Sequence, residues 1–260
     1  MKQFCKLLEM VRQKQSVDLF TVVGVPTGEE KYLGYCSSGK FAAGFPGDEF
    51  PEALQVQLDL SIAGMTWRKP ILLTLETPGA GIYQVFWDRA VSRSRAIVLG
   101  GGHISQPLVE ILAMLDFSPI VVDDRMEFAN QRNFPHAETI LCQPFQKALE
   151  QLEIDSETAV IIVTRGHRYD LECLRAVLER GARYLGMIGS RRRVKGIMAL
   201  LKEEGVPESL LATIQSPIGL ELGAETPAEI AVSIAAEVVS VFRSGNCTVG
   251  CRRKGGVTNE

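Results

Sequence analysis

The residues best suited to chemistry lie in short glycine-rich segments that follow apolar runs. The first of these segments is Gly100-Gly101-Gly102-His103. A glycine directly after a strand permits a sharp turn, and Gly102 lacks the Cβ atom that would keep a phosphate away from the backbone. A helix predicted to begin near Ser105 would point free N–H groups and its positive dipole end at that phosphate. We therefore expect an anion site at this turn, the alternative being a glycine-rich turn that binds no dinucleotide.

A second apolar run, Ile120–Val122, ends at the carboxylate of Asp123. Asp123 lies near the spacing of about 20 residues at which a dinucleotide-binding fold places its ribose-binding acid. The order of strand, glycine-rich turn, helix, strand and acid is typical of a mononucleotide-binding βαβ unit. Ser105 stands in place of the third glycine of the dinucleotide pattern. Asp123 favours NAD over NADP, although Arg125 nearby weakens this preference.

Two further predicted strand ends and one later loop carry polar or cationic residues. They are Thr164-Arg165-Gly166-His167, Gly189-Ser190-Arg191-Arg192-Arg193, and the segment Pro217–Glu225, which includes Gly219 and Glu225. Ligands of doubly wound sheets bind outside the carboxyl ends of the strands, so we expect these segments to converge on one crevice. Cations at a helix N-terminus oppose the dipole by about 0.3–1 kcal/mol each, which predicts an anionic partner. Consecutive helical positions lie about 100° apart, so we assign only Arg191 and Arg192 to that partner.

Three side chains are candidates for catalysis. His103 and His167 each follow a glycine at a strand end and could carry a proton or orient an anion, with a structural histidine as an equal alternative. Cys142 follows a predicted strand and is a candidate nucleophile, although a buried inert thiol is the favoured interpretation. We predict no metal site, because the spacing of Cys247 and Cys251 is a poor match to zinc motifs.

The elements that must position these residues form two domains and a tail. Residues 91–245 alternate between strand and helix, which predicts a Rossmann-like doubly wound parallel sheet. Residues 1–90 predict a smaller, mostly β domain of the α+β class, with a helix over 3–14 and a strand over 55–60. Residues 246–260 form a basic, glycine-rich tail. A helix is expected over 125–131, and a last helix opens with Thr226-Pro227-Ala228-Glu229, a capping box.

The composition excludes several classes of partner. The chain has 260 residues, a net charge of −3 and a hydrophobic content of 46%. This balance gives no indication of nucleic-acid or membrane binding. No apolar run approaches the roughly 18 residues of a membrane span, and the N-terminus lacks the apolar core of a secretory signal. We expect a cytoplasmic protein with free thiols.

Taken together, the motifs of the second domain closely resemble the xanthine dehydrogenase accessory factor family (XdhC/CoxI). The resemblance covers residues 95–242 and rests on segments 100–105, 121–129, 134–135, 163–167, 186–193 and 217–231. It implies a Rossmann domain that binds molybdopterin cofactor as cargo, assists its sulfuration with a cysteine desulfurase, and delivers it to a molybdenum hydroxylase apoenzyme. The first domain resembles the family weakly, and Cys36 has no secure counterpart there.

Two other functions fit the same residues. An NAD(P)-dependent oxidoreductase would place Asp123 on the ribose and use His103 or His167 for proton transfer. A nucleotide-sensing partner protein would perform no chemistry. Molybdopterin suits the residues because its phosphate matches a glycine-rich turn with arginines, while a crevice would cover its flat ring. The long apolar last helix, over residues 230–242, also suggests a homodimer.

Overall fold

The computed structural model describes residues 17–24, 33–37, 40–45, 52–62, 70–79, 81–90 and 93–244. The predictions for residues 3–14 and 246–260, and for the side chain of Cys36, lie outside these described parts. The chain divides into two compact units after Arg93. Within the described residues, no helix is long and apolar enough to cross a membrane.

The first unit contains a five-stranded antiparallel sheet and one described helix. Its strand order is β3-β2-β1-β5-β4, and its elements are β1 (Val17–Gly24), β2 (Leu33–Ser37), β3 (Lys40–Phe45), α1 (Glu52–Ile62), β4 (Ile71–Thr77) and β5 (Gly81–Ala90). Phe20, Val85 and Trp87 pack in its core, and the Trp87 indole N–H donates to Asp18 Oδ1 at 2.8 Å. The unit is of the α+β type that the sequence predicts.

The strand predicted over residues 55–60 is wrong, because this segment is part of helix α1. The prediction relied on alternation, which placed Val56, Leu58 and Leu60 on one side. In the structure Leu54 and Leu58 are buried, whereas Val56 is 53% and Leu60 67% exposed. Residues four apart share a helical face, so the buried pair at positions 54 and 58 gives the correct period.

The second unit contains a six-stranded parallel sheet with strand order β11-β10-β9-β6-β7-β8. Its elements are β6 (Arg95–Leu99), α2 (Ser105–Met114), β7 (Ser118–Asp123), β8 (Thr139–Cys142), α3 (Phe145–Gln151), β9 (Thr158–Ile162), α4 (His167–Val177), β10 (Tyr184–Met187), α5 (Arg191–Glu203), α6 (Glu208–Leu211), β11 (Ile214–Gln215) and α7 (Pro227–Ser244). The strand order reverses between β6 and β9, which is the switch point where such sheets bind ligands. The predicted Rossmann-like sheet is confirmed.

The two faces of this sheet are covered by different helices. Val98 and its alternate neighbours pack against α2 and α7, whereas Leu99 and its neighbours pack against α3, α4 and α5. Side chains alternate between the faces of a strand, so the helices following β6 and β10 lie on opposite sides of the sheet. Helix α7 packs Ile234 and Val238 within the chain, whereas Val232 is half-exposed. The homodimer stays a prediction.

The helix predicted over residues 125–131 is wrong, because hydrogen-bonded turns connect β7 to β8. The side-chain amide of Asn130 donates to the carbonyls of Met126 and Glu127, and that of Asn133 donates to the carbonyls of Glu127 and Phe128. These amides compete for carbonyls that a helix would use.

The capping box of α7 is formed as the sequence predicts. The Glu229 N–H donates to Thr226 Oγ1 at 3.3 Å, and the Thr226 N–H donates to Glu229 Oε2 at 3.0 Å.

Candidate functional site

The glycine turn after β6 combines one tightly packed glycine with one open glycine. Gly100 has φ +114°, and a Cβ atom there would lie 2.5 Å from the carbonyl oxygen of Val163. The close passage of β9 therefore requires glycine at position 100. A Cβ atom on Gly102 would meet nothing within 4 Å, and Gly102 is half-buried. There is thus open space beside Gly102, where the sequence predicts that a phosphate approaches.

Ser105 replaces a glycine for a structural reason. Its side chain is fully buried, and its hydroxyl donates to the Gly100 carbonyl at 2.5 Å. This bond ties the first turn of α2 to the end of β6. Ile104, the residue before α2, makes no side-chain capping bond. In the first turn of α2 the Ser105 N–H donates to the Gly102 carbonyl at 3.0 Å, the Leu108 N–H donates to the Ile104 carbonyl at 3.2 Å, and Pro107 has no N–H. This turn therefore offers an anion the N–H of Gln106 and the positive end of the helix dipole.

Asp123 holds the glycine turn through hydrogen bonds. Its side chain is 2% exposed and accepts hydrogen bonds from the Gly101 N–H at 2.8 Å and from the Arg125 backbone and guanidinium at 2.9–3.0 Å. Burial raises the pKa of Asp123, but the Arg125 side chain and the two backbone N–H groups lower it by more, so the net pKa lies below the usual value. The Arg125 guanidinium also lies 3.7 Å from the centre of the Phe128 ring. Both carboxylate oxygens of Asp123 thus already accept hydrogen bonds within the turn. Its contact with a ribose hydroxyl stays a prediction.

Arg165 brings the end of β9 to the end of β7. Its guanidinium donates to Asp124 Oδ2 at 3.1 Å and to the Tyr169 hydroxyl at 2.9 Å. It also lies 4.9 Å from the centre of the Tyr169 ring. Strands β7 and β9 flank β6 and lie about 10 Å apart, given a spacing of about 4.8 Å per strand. The Arg165–Asp124 pair therefore bridges the edge at which the glycine turn lies.

The three catalytic candidates lie at different places along this edge. His103 is exposed and follows Gly102. His167 begins α4, and its side chain lies outside the described residues. Cys142 ends the edge strand β8 in register with Asp123 and is exposed, so the interpretation as a buried thiol is wrong. Cys173 is the buried thiol instead, and burial raises its pKa. The catalytic roles stay predictions.

The arginine run after β10 divides its three side chains between different partners. Ser190 accepts a hydrogen bond from the Arg193 N–H at 3.3 Å and so caps α5. The Arg193 guanidinium pairs with buried Asp170, which also accepts from the Thr164 hydroxyl at 2.5 Å. Arg191 is 84% exposed and lies 3.6 Å from Glu221. Arg192 has no ion pair with any residue that the structure describes. The sequence analysis did not predict the Thr164–Asp170–Arg193 network. Its one signal in the sequence is Asp170, an acid in the first turn of α4.

The segment 217–225 is held by α7. Gly219 has φ +94°, and a Cβ atom there would lie 2.4 Å from Ser233 Oγ. Its N–H donates to Glu237 Oε2 at 2.8 Å, and that carboxylate also accepts from the Tyr184 hydroxyl at 2.6 Å. Glu225 is exposed, and its N–H donates to the Glu229 carboxylate. Packing and capping account for both Gly219 and Glu225, and their ligand roles stay predictions.

A comparison with protein families decides the identity of this unit. The family model described as "XdhC Rossmann domain" matches residues 96–238, which is more than half of the chain. The chain belongs to the XdhC family. The resemblance seen in the sequence is therefore confirmed.

Two curated relatives of this XdhC-family chain are bacterial. YqeB of Escherichia coli K12, described as uncharacterised, is 35% identical over 162 residues, covering 62% of this chain and 30% of the relative. A probable xanthine dehydrogenase subunit of Bacillus subtilis 168 is 30% identical over 155 residues, covering 60% of this chain and 45% of the relative. The chain thus spans less than half the length of either relative.

A solved structure shares the fold of the XdhC-family chain. The crystal structure of a xanthine dehydrogenase from Bacillus halodurans aligns with a TM-score of 0.71 and 22% identity, covering 94% of this chain and 67% of the other. Among the described residues, no group of three or more histidine, cysteine or acidic side chains could hold a metal ion.

Proposed function

We propose that this XdhC-family chain is an accessory protein for a molybdenum hydroxylase of the xanthine dehydrogenase class. In this role it binds molybdopterin cofactor in the crevice formed by the glycine turn and Arg165. It holds the cofactor while a cysteine desulfurase supplies sulfur, and then delivers it to the apoenzyme. The observation that carries the proposal is the open space at Gly102, beside a helix N-terminus without a side-chain cap.

The phosphate of the cofactor accounts for the polar part of this site. A helix dipole contributes about 1 kcal/mol to anion binding. Micromolar affinity requires about 8 kcal/mol, so other groups must supply most of the energy. Arg165 is suited to this role. Its guanidinium could release the carboxylate of Asp124 and donate two charge-assisted hydrogen bonds to a phosphate instead. The flat ring of the cofactor would add apolar contact.

The alternative function is that of an NAD(P)-dependent oxidoreductase. The strand order around β6 and the glycine turn fit a dinucleotide as well as a pterin. One observation counts against the dinucleotide: Asp123 is buried and already accepts four hydrogen bonds from Gly101 and Arg125. A ribose hydroxyl would have to reach a carboxylate that is closed off from solvent.

A single substitution separates a ligand role of the glycine turn from a structural one. The Gly102 backbone is not in the left-handed region and has open space around it, so Gly102→Val should fold normally and obstruct the phosphate. Titration with molybdopterin cofactor, followed by pterin fluorescence, should show an affinity at least about tenfold weaker than that of the wild type.

The matched control for this titration is Gly196→Ala, a second glycine position with free space, in α5 on the other face of the sheet. Its affinity for the cofactor should stay within about twofold of the wild type. Equal affinities for all three proteins would contradict the proposed site.

A further inference from the structure

A groove of about 750 Å³ lies between α4 and α5, on the sheet face opposite α2. Its cationic end is formed by Arg168, Arg192 and Arg193, and its apolar floor by Leu171, Ile197 and Leu200. The volume lies within the range of about 300–1,000 Å³ that is usual for small-molecule sites. The groove lies on the α4–α5 side of the sheet, whereas Gly102 leads into α2, which covers the other side.

The cationic end of the groove carries excess positive charge. Arg193 is neutralised by buried Asp170. Arg168 and Arg192 are exposed and have no ion pair with any residue in the described part of the chain. Both lie in the first turn of a helix, where the positive dipole end disfavours a cation. A bound anion would relieve this repulsion at both helix ends at once.

Gly196 leaves the middle of the groove open, although glycine lowers the stability of the helix that contains it. It lies inside α5, where alanine is the more favourable residue. A Cβ atom at this position would meet nothing within 4 Å, so no neighbouring atom requires glycine here. The missing side chain instead leaves space in the groove between its cationic end and Leu200.

The apolar floor gives the groove a second kind of contact. Leu200 is 46% exposed, which is a large exposed fraction for a leucine beside two other apolar side chains. From Arg192 to Leu200 the helix rises about 12 Å, since each residue adds about 1.5 Å. The groove is therefore cationic at one end and apolar along a length close to that of a small organic molecule.

We propose that the α4–α5 groove binds a small organic anion with an apolar body. Its phosphate, sulfonate or carboxylate group would contact Arg168 and Arg192, and its body would lie over Gly196 towards Leu200. The lining of this groove includes neither Gly102 nor Arg165, so its tests and the Gly102→Val titration can succeed or fail separately.

The first test uses a fluorescent anion of this shape, 8-anilinonaphthalene-1-sulfonate, titrated into the full chain. The neutral analogue N-phenyl-1-naphthylamine has the same rings without the charge, and sodium sulfate has the charge without the rings. The sulfonate probe should bind saturably and at least about tenfold more tightly than either control. Equal affinity for the neutral amine would overturn the proposal.

Matched variants then locate the bound probe. Arg192→Ala and Gly196→Ala should each weaken binding of the sulfonate about tenfold, whereas Lys195→Ala, which removes an exposed cation of the same helix outside the groove lining, should leave it unchanged. Gly196→Ala should also raise the melting temperature, because alanine favours the helix. Weaker binding by a more stable protein cannot result from misfolding. Wild-type affinity in both Arg192→Ala and Gly196→Ala would overturn the proposal.

Competition identifies the body of the natural ligand. Adenosine monophosphate carries a flat ring and octanoate carries an aliphatic chain, and each has an anionic group at one end. Displacement of the probe by the first indicates a ring-bearing phosphate, and displacement by the second indicates an aliphatic carboxylate. Displacement by neither would contradict the proposal.

Discussion

The glycine turns after β6 and β10 share a plan and differ in what they offer a ligand. In each, a glycine follows a parallel strand, a serine stands near the helix start, and a buried aspartate holds an arginine. The pairs are Asp123–Arg125 at the first turn and Asp170–Arg193 at the second. In both, the buried acid–arginine pair serves the architecture.

The difference lies in the groups that remain after those pairs are formed. The first turn leaves open space at Gly102 and the uncapped N-terminus of α2. The second turn is capped by Ser190 and leaves Arg192 beside an apolar groove. The first turn therefore offers a ligand open backbone space and the start of α2, with Arg165 at the same sheet edge, whereas the second offers the side chain of Arg192. Arg125 and Arg193, each paired with a buried aspartate, thus stabilise their turns, and binding of an anion falls mainly to arginines without such a partner.

The largest expected effect is at the buried acid of the second turn. Asp170→Ala should lower the free energy of unfolding by about 3–5 kcal/mol, because it leaves the Arg193 guanidinium without its buried partner. Denaturant unfolding measures this loss. Glu221→Ala removes the exposed partner of Arg191 and should cost at most about 1 kcal/mol. Similar losses in the two variants would show that the Asp170 pair is not structural.

The two glycines that begin the turns should differ strongly in their tolerance of a Cβ atom. Gly100→Ala should cost about 3 kcal/mol, since it combines backbone strain at φ +114° with a close approach to Val163. Gly189→Ala should change stability by less than about 0.5 kcal/mol, because its nearest contacts are ordinary. Unfolding curves of the two variants give the comparison. A tolerated alanine at position 100 would refute the packing described for the first turn.

The acid of the first turn should show a defined pH dependence. Asp123→Asn should cost about 2 kcal/mol at neutral pH, as hydrogen bonds to the carboxylate are weakened. The pKa of Asp123 is lowered in the folded chain, so its contribution is complete above the unfolded value of about 3.9. It is lost as the pH falls below 3.9 towards the folded pKa. The stability difference between wild type and variant should therefore shrink in acid, and a constant difference would contradict this role.

Apart from the control variants, the smallest expected effect is at the cap of α5. Ser190→Ala removes the hydroxyl that accepts from the Arg193 N–H and should cost about 1 kcal/mol. A thermal melt measures the change. An unaltered melting temperature would show that the 3.3 Å contact contributes nothing to stability.

The sequence predicts the parallel sheet well because its strands are short apolar runs between glycine-rich turns. It also predicts the α7 cap, because a capping box is a local pattern at Thr226 and Glu229. The prediction is wrong at α1, where the alternation of apolar residues indicated a strand. It is also wrong at residues 125–131, where two asparagine side chains compete for the carbonyls that a helix would use.

The candidate site is less predictable because its contacts join distant residues. Asp124 and Arg165 are 41 residues apart, and Asp170 and Arg193 are 23 apart. The residue types in the sequence do not show which arginine forms an ion pair with each of these aspartates. The open space at Gly102 also depends on packing that only the folded chain defines.

The central proposal is that the crevice at Gly102 binds molybdopterin cofactor. Its most direct test is the affinity of the purified wild-type chain for molybdopterin, NADH and NADPH under one set of conditions. Molybdopterin should bind at least about tenfold more tightly than either dinucleotide. Micromolar binding of NADH or NADPH without binding of molybdopterin would contradict it.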